Sequence, residues 1–571
     1  MIHLAYLLVL IVFITPLIPG VLGILLPAVS WLPPLGYVTP HLGAFATVAD
    51  WPNLVQSVLL SLFTGMGSSL LALVATFLIL RRFWLNPRWQ KIEYALSPML
   101  AMPHVAFAIG FSFLLAPSGW LYRGFEALGV NTAGSYSLIQ DPYGIGLLLA
   151  LAIKEIPFLL IMSISVLQQL NVHKQLAVAN GLGYDNKQAW LKVILPQWLP
   201  KIRLPLFAVA AYGISVVDVA LILGPSRPTT LSVLVWQWFN DPDLALMPRA
   251  AVGALLLLTT TAFGLLVFRT LEWLGLKQCR QWQITGAATL RNSVKSKISG
   301  SLLTLVTLLP FMLLPLLVIW SFAQRWRFPD LLPTRYSFRF WQQELTPLVE
   351  LIGNSMMLAL LSCAVALVMA IFCLEYRNKY LRGLPLWCIA IPLVAPQLSL
   401  LFGIQISTYW LANQQFVLWV IWSHTFFAFP YIYLALDGPW RSYDSRLDQC
   451  ARSLGLTAWQ TWWQVKRPMV MPAIWMALTI GLSVSLAQYL PTQMLGAGRI
   501  STITTEAVAL ASGQDRRVTA IYGLLQGLLP FVVFSIGLTA SHFSSRFHSR
   551  KPSAQQRSTN TDDIICGKPD Y

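Results

Sequence analysis

The sequence predicts an all-α polytopic membrane protein of about twelve transmembrane helices in two homologous six-helix halves. Composition is the first observation: hydrophobic residues make up 56% of 571 positions and charged residues 11%, against roughly 25% charged in a soluble domain. Mean hydropathy is +0.63. The second observation is a set of twelve apolar segments, and the third is a pattern that occurs twice in strict register. Leu182-Gly183, Val193, Pro196 and Pro200 recur 272 residues later as Leu454-Gly455, Val465, Pro468 and Pro472. Gln188 and Trp190 return as Gln460 and Trp462, Leu223-Gly224 as Leu495-Gly496, and Arg227 as Arg499. A register held over more than forty residues points to duplication rather than coincident turns.

The apolar segments fall at 4–26, 56–80, 97–117, 142–165, 203–224 and 251–269, then 301–322, 352–374, 385–407, 416–436, 473–495 and 519–540. Most approach the ~20 residues that cross the hydrocarbon as a helix. They must be helical, because lipid offers a backbone amide no partner. The first lacks a basic leading region and carries a long apolar run broken by Pro16 and Pro19, so it reads as a retained helix rather than a cleaved signal. This divides the chain into a first half at 1–270, a cytoplasmic connector at 271–300, a second half at 301–541 and a polar, disordered cytoplasmic tail at 542–571.

Charge sets the orientation. With a cytoplasmic N-terminus, the inward loops and their membrane edges hold 28 of the 39 lysines and arginines. They include Arg81, Arg82, Arg88 and Lys91, Arg291, Lys295 and Lys297, and Arg550, Lys551, Arg557 and Lys568 of the tail. Both termini and both copies of the repeated pattern are therefore expected in the cytoplasm. The same distribution accounts for most of the net charge of +17 without nucleic acid. The six cysteines, Cys566 in the tail among them, show no zinc-site spacing and none sits in an outward loop, so neither a metal nor a disulfide is expected. The outward loop at 323–348 mixes Arg325, Arg327, Arg335 and Arg339 with Trp326, Phe328, Tyr336, Phe338 and Trp341. It reads as an interfacial anchor, or as a contact for a soluble partner.

The repeated loop reads as helix, glycine bend and second short helix outside the bilayer. In the first copy a helix through Leu176, Ala177 and Ala179 turns near Gly181 and Gly183, and Asp185 caps a segment that Pro196 is expected to stop. The second copy runs through Ala451, Leu454 and Gly455, with Thr457 as cap before Trp459, Gln460, Trp462, Trp463 and Val465. Two such helices either pack against the inner ends of neighbouring spans or form equivalent docking knobs for a two-fold cytoplasmic partner.

These residues resemble the permease subunits of binding-protein-dependent ABC importers, and fused twelve-span permeases of the iron(III) and thiamine type look most similar. That family's mark is Glu-Ala-Ala, three residues, Gly, nine residues, then Ile-x-Leu-Pro. Here it stands as Ala177-Val178-Ala179, Gly183 and Val193-Ile194-Leu195-Pro196, and again as Gln449-Cys450-Ala451, Gly455 and Val465-Lys466-Arg467-Pro468. The acidic residue is missing from both copies, which puts a family-type ion pair in doubt and shifts docking onto Trp190, Trp462 and the glycine bends. The resemblance implies a type I ABC importer permease architecture in a bacterial inner membrane. It makes each loop a coupling helix seated in a cleft of an ABC ATP-binding subunit, two copies per chain, with a periplasmic solute-binding protein delivering the cargo. ATP and Mg would be bound by that partner. This chain has no Gly-rich pattern ending in Gly-Lys-Ser/Thr, so it is expected to be non-catalytic.

Polar groups inside the predicted spans are His104, Lys154, Glu155, Asp218, His424 and Gln488. Such groups face a bundle interior or a cavity. Glu155 and Asp218 either line a passage or satisfy other helices; Lys154 and Glu155, being adjacent, point in different directions. Gly224 and Gly496, at the outer ends of the fifth and eleventh spans, suggest related turns near a periplasmic gate, or ordinary helix termination. A secondary active transporter built from two repeated halves is the competing reading. A membrane enzyme ranks below both, since no nucleophile, base and orienting group assemble.

Overall fold

The computed structural model describes residues 2–87, 89, 92, 96, 102–130, 136–284, 297–410, 415–513 and 515–549. Arg88, Lys91, Arg291, Lys295, Arg550, Lys551, Arg557, Lys568 and Cys566 lie outside them. The principal helices of the first half are α1 (Leu17–Ala28), α2 (Leu54–Phe83), α3 (His104–Leu115), α4 (Ile145–Gln169), α5 (Arg203–Ser215), α6 (Asp218–Leu223) and α7 (Met247–Ile284). Those of the second are α8 (Lys297–Phe322), α9 (Arg339–Tyr380), α10 (Gln397–Thr408), α11 (Phe416–Ser442), α12 (Arg467–Leu486), α13 (Leu490–Leu495) and α14 (Arg516–Ser549).

Among the described residues ten helices are long and apolar enough to cross a membrane. The two remaining predicted spans are present but broken. Segment 385–407 is a Leu386–Val394 helix and α10 bent by 100° at Ala395-Pro396. Proline pushes its predecessor into extended backbone, and Ala395 has φ −70° and ψ 137°. Segment 203–224 stops at Ser215, turns through Val216 and Val217, and resumes as α6. Its counterpart 473–495 also breaks, between Leu486 and Leu490. The ends differ from expectation as well. Helix α7 runs into the expected connector as far as Ile284, and α14 continues into the expected tail as far as Ser549.

The halves interlock through their first spans. Ahead of α1, a helix at Ile2–Ile14 lies on α9, where Tyr6 stacks on Tyr376 at 3.9 Å. Helix α1 packs on α10 of the opposite half and on α7 of its own, while α8 packs on α3 of the opposite half and on α14 of its own. The contact residues match: Gly403 of α10 meets Gly20, and Gly110 of α3 meets Leu313, each partner displaced by 293 positions. A Cβ on Gly23 would come within 1.9 Å of the Gly403 carbonyl oxygen, so backbone-to-backbone approach requires glycine there. In lipid such close packing replaces the hydrophobic drive between helices.

After α8 the basic aromatic loop forms a short hairpin, β1 (Ala323–Arg325) with β2 (Arg335–Tyr336). It holds the halves together. Arg123, buried in the first half's Trp120–Ala127 helix, donates to the Arg327 and Asp330 carbonyls at 2.7 Å each and lies over the Trp326 ring.

Candidate functional site

Both copies of the repeated loop have one backbone design. The first helix, Val172–Gly181, closes in a left-handed Gly183 with φ +85°. The Gly183 amide donates to Asn180 and the Tyr184 amide to Ala179. In the second copy, after Arg446–Ser453, Gly455 has φ +90°, its amide donates to Arg452, and the Leu456 amide donates to Ala451. This pair of bonds is the Schellman closure, whose turn residue is left-handed and so favours glycine. The Ala-x-x-x-Gly spacing of both copies is thus a helix ending, with buried Ala179 and Ala451 accepting the longer bond. A Cβ on either glycine would meet nothing within 4 Å, so only backbone conformation selects it.

The second short helices begin as expected, on Asp185 and on a Thr457–Gln460 capping box. Pro196 does not stop the first. Trp190–Ile194 and Trp462–Lys466 both wind into a π turn, and the helix continues beyond it with Pro196 and Pro468. A proline ring clashes with the carbonyl four residues back, and the wider turn relieves that clash.

The side chains sort differently from the expectation. Trp190 is 1% exposed, edge-on to Phe77 of α2 at 6.0 Å, and Gln188 is buried too. Burial within its own chain removes Trp190 from any docking contact and makes it the loop's anchor. Trp462 is half-buried and donates to Glu375 of α9 at 3.3 Å, while Gln460 is exposed and spent on its cap. Val193, Pro196, Val465 and Pro468 are half-buried. What faces outward is Ala177, Val178 and Leu182 (73% exposed) in the first copy, and Leu454 (84%), Trp459 (69%) and Trp463 in the second. Lys466, at the variable position of the family pattern, is buried and reaches Glu375 Oε1 at 2.7 Å. Trp440 donates to the same carboxylate at 3.0 Å. The second loop is therefore tied to α9 and α11 by an ion pair that the first loop lacks at its counterpart, Ile194.

Between the halves lies a cavity of ≈ 250 Å³. His104, Lys154, Glu155, Asp218 and Gln488 all line it, so five of the six polar groups read from the spans converge on one place. Adjacent Lys154 and Glu155 both reach it, against the expectation that they diverge. The sixth, His424, lies behind the wall. Its ring nitrogens contact Ser485 Oγ at 2.8 Å and Thr492 Oγ1 at 2.9 Å, bracketing the α12–α13 break. Glu155 accepts or shares a proton with His104 Nε2 at 2.8 Å, and the Tyr212 hydroxyl donates to Asp218.

The two helix breaks form equivalent walls. Ser215–Asp218 and Ala487–Leu490 stand 272 residues apart and both border the cavity. Broken helices are tolerated in a membrane where other groups satisfy the freed backbone. Ser232 Oγ donates to the Val216 carbonyl and Thr504 Oγ1 to that of Leu486, both at 2.6 Å, and these hydroxyls are also 272 apart. His104 and Gln397, each following a proline at the start of α3 or α10, face the cavity from opposite halves. The periodicity signal for Ser232 and Thr504 was present in the sequence; Tyr212, Tyr431 and Tyr489, also on the wall, carry none.

Gly224 and Gly496 are buried at the ends of α6 and α13, each donating to the carbonyl four residues back at 2.9 Å. A Cβ would sit 2.5 and 2.4 Å from that same oxygen. Beyond this start the turns differ: Gly224 is extended, whereas Gly496 stays helical and Ala497 and Gly498 turn left-handed. They are related helix ends rather than related turns.

Comparison with known proteins bears on the same segments. Residues 362–546 match the family described as "Binding-protein-dependent transport system inner membrane component". The chain is 32% identical over 531 residues to the "Inner membrane ABC transporter permease protein YnjC" of Escherichia coli, covering 92% of this chain and 93% of that one. It is 24% identical over 496 residues to the "Thiamine transport system permease protein ThiP" of Haemophilus influenzae, covering 83% and 85%. A "Spermidine/putrescine transport system permease protein PotC homolog" of Mycoplasma genitalium matches at 27% over 173 residues, 29% of this chain and 60% of that one.

Proposed function

The chain belongs to the inner-membrane permeases of binding-protein-dependent ABC importers, and from that premise we propose how its two repeated loops and its cavity divide the work. As a multi-pass permease of this class it works with an ATP-binding subunit and a solute-binding protein. In our reading both termini are cytoplasmic, and two copies of the ATP-binding subunit take one loop each. ATP and Mg are held by those partners, and this chain performs no catalysis. The contacts are the outward-facing Val178 and Leu182 in one loop and Leu454, Trp459 and Trp463 in the other.

The observation that carries this reading is the shared Schellman–π design of both loops in two otherwise diverged halves. The left-handed glycines give both loops the same bend, which presents Val178 and Leu182 in one copy and Leu454 in the other. When the ATP-binding pair closes, the loops approach each other. The force then passes through anchored Trp190 to α2 and through Lys466 and Trp462 to Glu375 of α9. Those helices pack on α4 and α11, which line the cavity, and so shift its walls between facing-in and facing-out arrangements, a rigid-body transition of two interlocked halves.

Native mass spectrometry of the complex purified through this chain tests it. Two ATP-binding subunits per chain are expected, falling to one when either loop is disabled by Leu182→Asp or by Trp459→Asp. A complex indifferent to both substitutions contradicts the assignment, as does proton-driven uptake by the isolated chain, which would favour a secondary transporter.

A further inference from the structure

We propose that the central cavity is a binding site for a small organic cation carrying a hydrogen-bonding group, with Asp218 answering the charge and Gln488 the polar group. The proposal rests on the permease reading and names the class of cargo.

Charge is the first ground. All the carboxylates and the ammonium on the wall come from the first half: Glu155, Asp218 and Lys154. Lys154 balances one carboxylate, and His104 is already engaged with Glu155 at 2.8 Å. Asp218 is left with the neutral Tyr212 hydroxyl and no ion pair among the described residues, and a carboxylate in a membrane-embedded site is costly until a cation answers it. An anionic guest would meet it with like charge. The second half supplies neutral groups, among them Gln397, Tyr431, Gln488 and Tyr489.

The second ground is independent of charge. Gln488 is 7% exposed and lines the cavity, yet neither its Oε1 nor its Nε2 has a hydrogen-bond partner. A buried amide unpartnered at both ends is unfavourable unless a guest supplies an acceptor and a donor. His424, bonded to Ser485 and Thr492 on either side, fixes the break that presents it.

The third ground is the wall itself. Tyr212, Tyr431, Tyr489, Phe158 and Phe427 give five aromatic rings around the cavity. Aromatic faces with a nearby carboxylate suit an alkylammonium, whereas Ca²⁺ or Mg²⁺ takes six or more oxygen ligands. The cavity of ≈ 250 Å³, several times the ~30 Å³ of one water, has room for a small organic solute.

Three probes of one shape separate the possibilities: choline, its uncharged isostere 3,3-dimethyl-1-butanol, and the anion 3,3-dimethylbutanoate. Each is titrated onto the full chain in nanodiscs with its ATP-binding subunit, by equilibrium dialysis. Choline is expected to bind saturably, at least tenfold tighter than either isostere. Asp218→Asn should remove the preference over the alcohol, and Gln488→Leu should weaken choline at least tenfold. The proposal is overturned if wild type does not bind choline, if the alcohol or the anion binds as well, or if both variants bind like wild type. The wild-type comparison needs no variant to fold. Retention of the ATP-binding subunit is scored in the same sample: its loss with selectivity intact counts against the permease reading, and its presence without selectivity counts against this inference alone.

Discussion

Replacing Gly183 by alanine changes one methyl group at a place where that methyl touches nothing. The effect must therefore come from the backbone, held at φ +85°. An L-residue in the left-handed region costs about 1–2 kcal/mol, and since ~1.4 kcal/mol is a factor of ten, a free loop that relaxes out of this turn would dock roughly five- to thirtyfold more weakly. Gly455→Ala, at φ +90°, should cost the same. Each loop takes its own subunit, so each site should weaken by its own factor, and the overall constant for seating both subunits on the double variant should fall on the order of a hundredfold. Two controls sharpen the reading. Gly181→Ala places the same methyl in open space but within the helix, and should leave docking unchanged or slightly better. Gly183→Asn, a residue that tolerates the left-handed region, should recover most of the loss. Biolayer interferometry of the purified ATP-binding subunit on nanodisc-held chain supplies the affinities. If Gly183→Ala and Gly181→Ala bind alike, the turn geometry is irrelevant to docking and the argument fails.

Further outcomes follow from the packing. Glu375→Gln should strand buried Lys466, and breaking a buried pair costs about 3–5 kcal/mol; adding Lys466→Ile, the residue at the first copy's counterpart, should restore most of the lost thermal stability in a detergent melt. Gly23→Val puts a Cβ into the Gly403 carbonyl and should detach α1 from the second half, seen as new protease cleavage in residues 29–53. Gly224→Val and Gly496→Val meet the carbonyls they themselves bond and should depress uptake while membrane insertion, scored by accessibility labelling, stays normal. Wild-type uptake in both would remove them from the path.

How much was readable in the sequence varies with the physics involved. The all-helical membrane class and the position of the two loops along the chain were legible, because lipid demands long apolar helices and the two loops keep a common register. The breaks within spans five, nine and eleven were not: Val216-Val217 is as apolar as the helices around it, Pro396 resembles the prolines that other spans hold within a helix, and Gln488 stood out as a polar group rather than as a break. At spans five and eleven a hydroxyl from elsewhere, Ser232 or Thr504, takes a freed carbonyl. The cavity residues were legible as polar groups in apolar surroundings, but not as one site. Trp190 misled because an indole on a short loop helix looks exposed in sequence, and only the approach of α2 shows that Phe77 covers it. The interlock of the halves was hidden for a similar reason: Gly20, Gly110, Gly403 and Leu313 match at a spacing of 293, whereas the loops match at 272.

The most direct test of the account is ATP hydrolysis and uptake measured together in proteoliposomes holding the chain, its ATP-binding subunit and the loaded solute-binding protein. The account predicts that loaded binding protein stimulates hydrolysis and drives uptake in wild type, and that Gly183→Ala/Gly455→Ala loses both. Undiminished, ATP-coupled uptake by the double variant would contradict it.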